Sequence, residues 1–336
     1  MRRYFYILGL AGLIFGPGCV APMEMVEPTS REEAADQDLY GIYMINDREG
    51  FAVGGSGVIL HARDGGESWI LEFSGTRETL RDIRFDNEGK NGWTVGNNGT
   101  ILHSPNGGVG WIATISGTHN NLHAVSQPTY DSTSDQYLLW AVGDNGTILH
   151  TTNSGLTWFP QSAASTSHLR AIFMIDSKRG WVAGDNGVIL KTDNGGELWL
   201  PQVSGTNRNL YSIYFTGASE GWVVGEGGLI LHLVEPDQSF WIPRISTATG
   251  RLTDVFFLNP TCGWAVGENG QFLQTEDSGK LWIPREMQVQ RSLNAVFFLE
   301  GRAAVGCRHV GWATGDRGTL LHTVNGGIFW QSQFIQ

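Results

Sequence analysis

Seven tryptophans, Trp69, Trp111, Trp158, Trp199, Trp241, Trp282 and Trp330, recur at intervals of 42, 47, 41, 42, 41 and 48 residues. A period just above 40 residues, filled with several short strand-like segments, belongs to arrays in which each unit buries its faces only against its neighbours. The second unit shows the internal plan. Apolar runs at Leu80 to Phe85, Trp93 to Gly96, Thr100 to Ser104 and Trp111 to Ser116 are separated by turn residues. Four runs per unit and seven units predict an all-β chain, a seven-bladed β-propeller with four antiparallel strands per blade over residues 39–336.

The first run recurs as Leu-x-x-(Ile/Val) from Leu39, Leu80, Leu122, Leu169, Leu210, Leu252 and Leu293, followed by the β-branched and aromatic residues that a pleated, packed segment favours. The second recurs around Phe51, Trp93, Trp140, Trp181, Trp222, Trp264 and Trp312, usually as Gly-Trp-x-Val-Gly. Between the second and third runs stand Gly-Asn-Asn-Gly (96–99), Gly-Asp-Asn-Gly (143–146 and 184–187) and Gly-Glu-Asn-Gly (267–270). Asn-Gly pairs accept positive φ, which predicts two-residue hairpins.

Between the third and fourth runs lies (Ser/Thr)-x-(Asp/Asn)-x-Gly-x-x-Trp, which resembles the Asp-box, or bacterial neuraminidase repeat. Its copies run from Asp64, Asn106, Asn153, Asn194, Asp277 and Asn325 to the tryptophan five residues on. A short Asx side chain bonds its own turn backbone, glycine takes the strained position, and the indole covers the hairpin. The fifth copy is degraded: Pro236 occupies the Asx position and no glycine precedes Trp241. The motif implies a fold rather than an activity. All 13 tryptophans fall on the hairpin or the second run, so none is left over for a sugar-stacking platform. With the first unit starting at Leu39 and the seventh ending near Ile335, each blade reads as contiguous sequence. The first and last blades are then expected to meet through side-chain packing, with no exchanged strand.

A net charge of -11 argues against a nucleic-acid partner, which relies on a basic footprint. The N-terminus differs from the array. Arg2 and Arg3 precede an apolar stretch from Tyr4 to Phe15, and then Gly16, Pro17, Gly18 and Cys19 follow. This has the layout of an export signal over residues 1–18, with Cys19 placed as the acylated residue of a lipoprotein; cleavage near Ala21 is the competing reading. Residues 19–38 read as a flexible, polar tether. No later apolar run approaches the roughly 18 residues that span a bilayer, so the membrane is expected to be reached through a lipid anchor alone, by a monomer. An oxidising compartment would leave Cys262 and Cys307, each just before a Gly-Trp motif, as an even pair for a disulfide, against two buried thiols.

No phosphate loop, Cys-x-x-Cys or His-Glu-x-x-His stands in the chain, so no catalytic residue, metal or cofactor is assigned. A sialidase would carry an Arg-Ile-Pro motif near the N-terminus, whereas Arg244 and Arg285 follow Ile-Pro in the reverse order. The loops from fourth to first runs do carry a basic set: Arg77, Arg81, His119, His123, His168, Arg170, Arg208, Arg251 and Arg291. They should ring one mouth of the central channel, together with Asp144, Asp185, Glu226, Glu268 and Asp316 from the turns between second and third runs. Such a ring is either a solvated surface of weak ion pairs or a docking site for an extended or acidic peptide. Arg77, Arg81, His123, Arg170, Arg208, Arg251 and Arg291 are the candidate partner-binding residues.

Leu-x-x-Ile-x-Phe, Gly-Trp-x-Val-Gly, Gly-x-Ile-Leu-x-Thr and (Asp/Asn)-Gly-Gly-x-x-Trp, in that order over residues 39–336, resemble the photosystem II stability and assembly factor family. The resemblance implies a non-catalytic, exported, protein-binding scaffold. Cyanobacterial members are lipoproteins of the thylakoid lumen that bind newly made reaction-centre polypeptide, partly through an arginine-rich patch. The family's adjacent arginines before Leu-Gln are not reproduced, since Arg251 and Arg291 each stand alone. The alternative function class is a glycan-binding or glycoside-hydrolysing Asp-box propeller.

Overall fold

The computed structural model describes residues 29–218, 220–234, 240–300 and 305–336. The stretch expected to be an export signal (residues 1–18), Cys19 and Pro236 lie outside the described residues. Seven sheets follow one another around a central channel, each built on four antiparallel strands, as expected; blade three adds a short strand, Thr129–Asp131, paired with Gln136–Gly143. Blade four shows the plan with Leu169–Met174 innermost, then Gly180–Gly184, Ile189–Thr192 and Leu200–Gln202 at the outer edge. The second strands are buried on both faces, which is why they read as unbroken apolar runs.

The innermost strands bury Leu and Ile three residues apart, a spacing that a flat strand would place on opposite faces. A register shift directly after the leucine resolves this in every blade, as between Leu169 and Ala171. The extra residue turns the strand's second and fifth positions together toward the channel.

The turns after the second strands differ from expectation. They hold three residues rather than two: Asn97, Asn98 and Gly99 in blade two, closed by Thr100 N–H donating to the Asn97 carbonyl at 3.0 Å. Asn98, Asn145, Asn186 and Asn269 do take positive φ, from 53° to 60°. The following glycine is required by space as well, because a Cβ on Gly99 would lie 2.0 Å from the Thr118 carbonyl of the next loop.

The tryptophans link blades as well as filling them. Second-strand Trp93 donates its indole N–H to the Ser154 carbonyl in the hairpin of the next blade at 2.9 Å; Trp140 does so to Gly195, and Trp264 to Gly326. Where the fifth Asp-box is degraded, Gln202 from blade four takes over: its Oε1 accepts from both Trp181 (3.1 Å) and Trp241 (3.0 Å). Third-strand histidines stack on these second-strand rings, with His103 on Trp93, His150 on Trp140, His232 on Trp222 and His322 on Trp312.

Ring closure corrects the expectation of packing alone. Blade seven's outer strand is Gln331–Ser332, and Phe334–Ile335 instead pairs in parallel with the outer strand of blade one, Ser68–Glu72. Gln336 N–H donates to the Trp69 carbonyl at 2.7 Å and Trp312 indole to the Gly65 carbonyl at 2.8 Å. Part of the expected tether is also folded. Residues Arg31–Asp36 form a helix capped by Ser30 and Glu33, with Ala34 buried and Arg31 Nε donating to the Ile335 carbonyl at 3.0 Å. Its polarity does not prevent docking, because the cap and the seam satisfy its backbone. Cys262 and Cys307 are joined in a disulfide, Cα atoms 5.4 Å apart, tying the loops of blades six and seven at the end opposite the basic ring.

Candidate binding site at the channel mouth

The innermost strands enclose a channel of about 470 Å³. At its mouth stand the second-position side chains, with Tyr40, Arg81, His123, Arg170 and Tyr211 all lining the opening. The register shift after each leucine aims them there, and the turns after the second strands bring polar partners alongside.

Arg170 forks onto Asp185 at 2.6 and 2.8 Å, and this hydrogen bonding holds its guanidinium above its ordinary pKa. His123 Nε2 and His168 Nδ1 meet one oxygen of Asp144 at 2.6 and 2.9 Å. Burial pushes the Asp144 carboxyl up, but hydrogen bonds from His123 and Asn121 and the field of His168 outweigh it and keep the group low. His123 itself is held below the usual imidazole range, by burial first and then by Arg81 and Arg170, against the pull of Asp144. Tyr211 is flanked by two cations, Arg170 at 5.6 Å and Arg251 at 5.2 Å from its ring, while its hydroxyl donates to Glu226 at 3.2 Å.

Arg81 is the exception. Blades three to seven place an acid at the start of the turn, but blade two has Asn97, so Arg81 Nε donates to a neutral amide at 2.7 Å. Its guanidinium also lies 5.3 Å from the Tyr40 ring centre. Burial lowers its pKa, partly offset by Tyr40 and Asp144, and no carboxylate hydrogen-bonds it among the described residues. A half-buried guanidinium with no carboxylate bonded to it, beside a paired one, is equipped to take an acidic or carbonyl-rich ligand.

The structure therefore gathers Arg81, His123 and Arg170, with Arg251 behind Tyr211. It leaves the other three candidates outside the lining: Arg77 is exposed and 3.3 Å from Glu33, Arg208 is exposed, and Arg291 donates to the Arg317 carbonyl at 3.1 Å. Tyr40 and Tyr211 are site residues that sequence reasoning missed. Their signal was a polar or aromatic residue directly after the repeat leucine, legible only once the register shift is known.

The family described as photosynthesis system II assembly factor YCF48 matches in three successive stretches, 71–162, 161–248 and 237–335. Among solved structures, "YCF48 bound to D1 peptide" superposes with a TM-score of 0.69 at 20% identity, covering 86% of this chain and 92% of that one. YCF48 from Cyanidioschyzon merolae gives 0.66 at 20% identity over 86% and 95%. An ancestral GH74 enzyme gives 0.68 at 10% identity, over 91% of this chain but 47% of its own. No curated protein sequence matches.

Proposed function

Because the chain belongs to the YCF48 family of photosystem II assembly factors, we propose that it is a binding scaffold that captures a protein or peptide segment at the channel mouth and aids assembly of a membrane complex. The observation that carries this reading is the convergence of Arg81, His123 and Arg170 on one opening, with Arg81 bonded only to a neutral amide. A relative solved with a bound D1 peptide supports a polypeptide ligand. Export and a lipid anchor at Cys19 complete the proposal, placing the propeller at a periplasmic or outer-membrane face, or in a thylakoid lumen in a photosynthetic host.

The glycosidase reading needs two carboxylates free to act across a sugar. The two acids on the channel wall, Asp82 and Asp254, instead spend their oxygens on backbone N–H groups of Val125 and Val296, Arg84 and Ser212. That favours binding over hydrolysis. The test is affinity capture from the native host with the wild type and an R81A/R170A/R251A variant. Recovery of membrane-complex subunits, lost in the variant, supports the proposal; equal recovery removes the mouth from it. Radiolabelled palmitate incorporated by the wild type and lost in C19S checks the anchor.

A further inference from the structure

Below the mouth the channel has a second level, built by the fifth position of the innermost strands. Tyr43, Phe173, Tyr214, Phe256 and Phe297 form an arc through five blades, with neighbouring ring centres 5.1 to 5.3 Å apart. The remaining two blades break the pattern. In blade three the fifth position is the buried Ser126, and Gln127, one residue on, lines the channel and donates to Tyr43 Oη at 3.1 Å and to the Phe85 carbonyl at 3.0 Å. Blade two puts Arg84 there.

Arg84 Nη1 donates to Asp82 at 2.6 Å and to the Ile83 carbonyl at 2.8 Å. Nε and Nη2 make no hydrogen bond among the described residues, in a side chain that lines the channel. Neutralising Asp82 is not a sufficient reason for this arginine. Asp254 occupies the equivalent place in blade six and does the same work, accepting from the next blade's Val296 N–H at 2.9 Å as Asp82 accepts from Val125 at 3.0 Å. Asp254 manages with the Ser212 hydroxyl at 2.7 Å and no hydrogen-bonded cation, its carboxyl pushed up by burial to about 6. The fold thus accommodates this acid without a hydrogen-bonded arginine. Arg84 lines the channel together with Tyr43, Tyr214 and Asp254 of three other blades, and its charge bears on all three.

We propose that this level is a pocket for a carboxylate carried on a small, flat apolar body. Arg84 Nε and Nη2 take the carboxylate as a fork, the Tyr214 hydroxyl donates a further hydrogen bond, and Phe173, Phe256 and Phe297 pack the body. The channel as a whole, mouth and lower level together, falls within the roughly 300–1,000 Å³ of small-molecule pockets. The ligand chemistry is shared by a free small acid and by the terminal residue of a peptide entering past the mouth.

Calorimetric titration of the full-length protein distinguishes these sources. The probes are 3-phenylpropionate against 3-phenylpropionamide, and a hexapeptide ending in phenylalanine with a free against an amidated C-terminus. The expected result is a preference for the free acid of about tenfold or more in at least one pair, as a charge-assisted fork provides. R84M abolishes the preference, R84K restores part of it, and F256A weakens acid and amide alike. Preference in the first pair alone assigns a free acid, and in the second alone a peptide terminus. Equal affinity for acid and amide in both pairs, or a preference that survives in an R84M protein with an unaltered melting curve, overturns the proposal.

Discussion

The outer hairpins and the channel wall are built from the same seven repeats, yet they diverge in opposite ways. At the hairpins, Asx, glycine and tryptophan recur almost unchanged, and where one copy fails Gln202 restores the lost acceptor for two indoles. On the channel wall, the fifth strand position is aromatic in five blades but arginine in blade two, and the second position carries Tyr40, Arg81, His123, Arg170, Tyr211, Thr253 and Asn294 in turn. A position that serves packing can be identical in every blade, because every blade meets the same neighbour. One that serves recognition must differ around the ring, because a ligand on the axis is not sevenfold symmetric.

This contrast is broken most sharply at the hairpins. Trp158→Ala removes a buried indole that also donates to the Gly155 carbonyl. It should cost about 3–5 kcal/mol in urea unfolding; a loss below 1 kcal/mol would mean that a single blade matters little to the ring. Gln202→Ala strands two buried indole N–H groups and is expected to cost about 1–3 kcal/mol, against almost nothing for the exposed Gln331→Ala in the same assay. Asn98→Ala, at φ 53°, should cost about 1–2 kcal/mol from the left-handed backbone alone, with Asn98→Gly recovering most of it.

Acid should act on the same packing layer. Burial holds His103, His150, His232 and His322 below the usual imidazole range, His150 down to about 4. Their unfolded forms take up protons first, so stability is fully present above about pH 6.5. It then falls as pH drops through the interval down to about 4. Asp254, raised to about 6, works the other way and partly offsets the loss. Melting temperature against pH should slope downward below 6.5, and H150F should flatten the curve. Smallest in stability, R81A at the mouth should shift unfolding by less than about 0.5 kcal/mol while weakening partner capture; a large stability loss there would erase the distinction between the two regions.

The blades and their order were legible in the sequence because packing repeats, and repetition is visible without coordinates. The mouth was half legible. Arg81 and Arg170 stood out as charges against the repeat, but Arg77, Arg208, Arg251 and Arg291 satisfied the same criterion and lie outside the lining. Separating them takes the one-residue shift after Leu80 or Leu169, which decides which side chain turns to the axis and leaves no mark in composition. Arg84 was hidden for the same reason. Closure was illegible because Phe334–Ile335 is two residues long and pairs with a partner 266 positions away at its nearest register.

That last pairing governs the order in which the molecule can be finished. Each of the first six blades has its four antiparallel strands once its own segment has been synthesised, but the parallel pair on blade one and the Arg31 bond to Ile335 wait for Phe334 and Ile335. A chain still short of Phe334 therefore holds an open arc in which blades one and seven lack this pair, and the docking of residues 334–336 converts the arc into a ring with a defined axis. Assembly of the mouth and of the pocket beneath it is thereby tied to the docking of residues 334–336 on blade one.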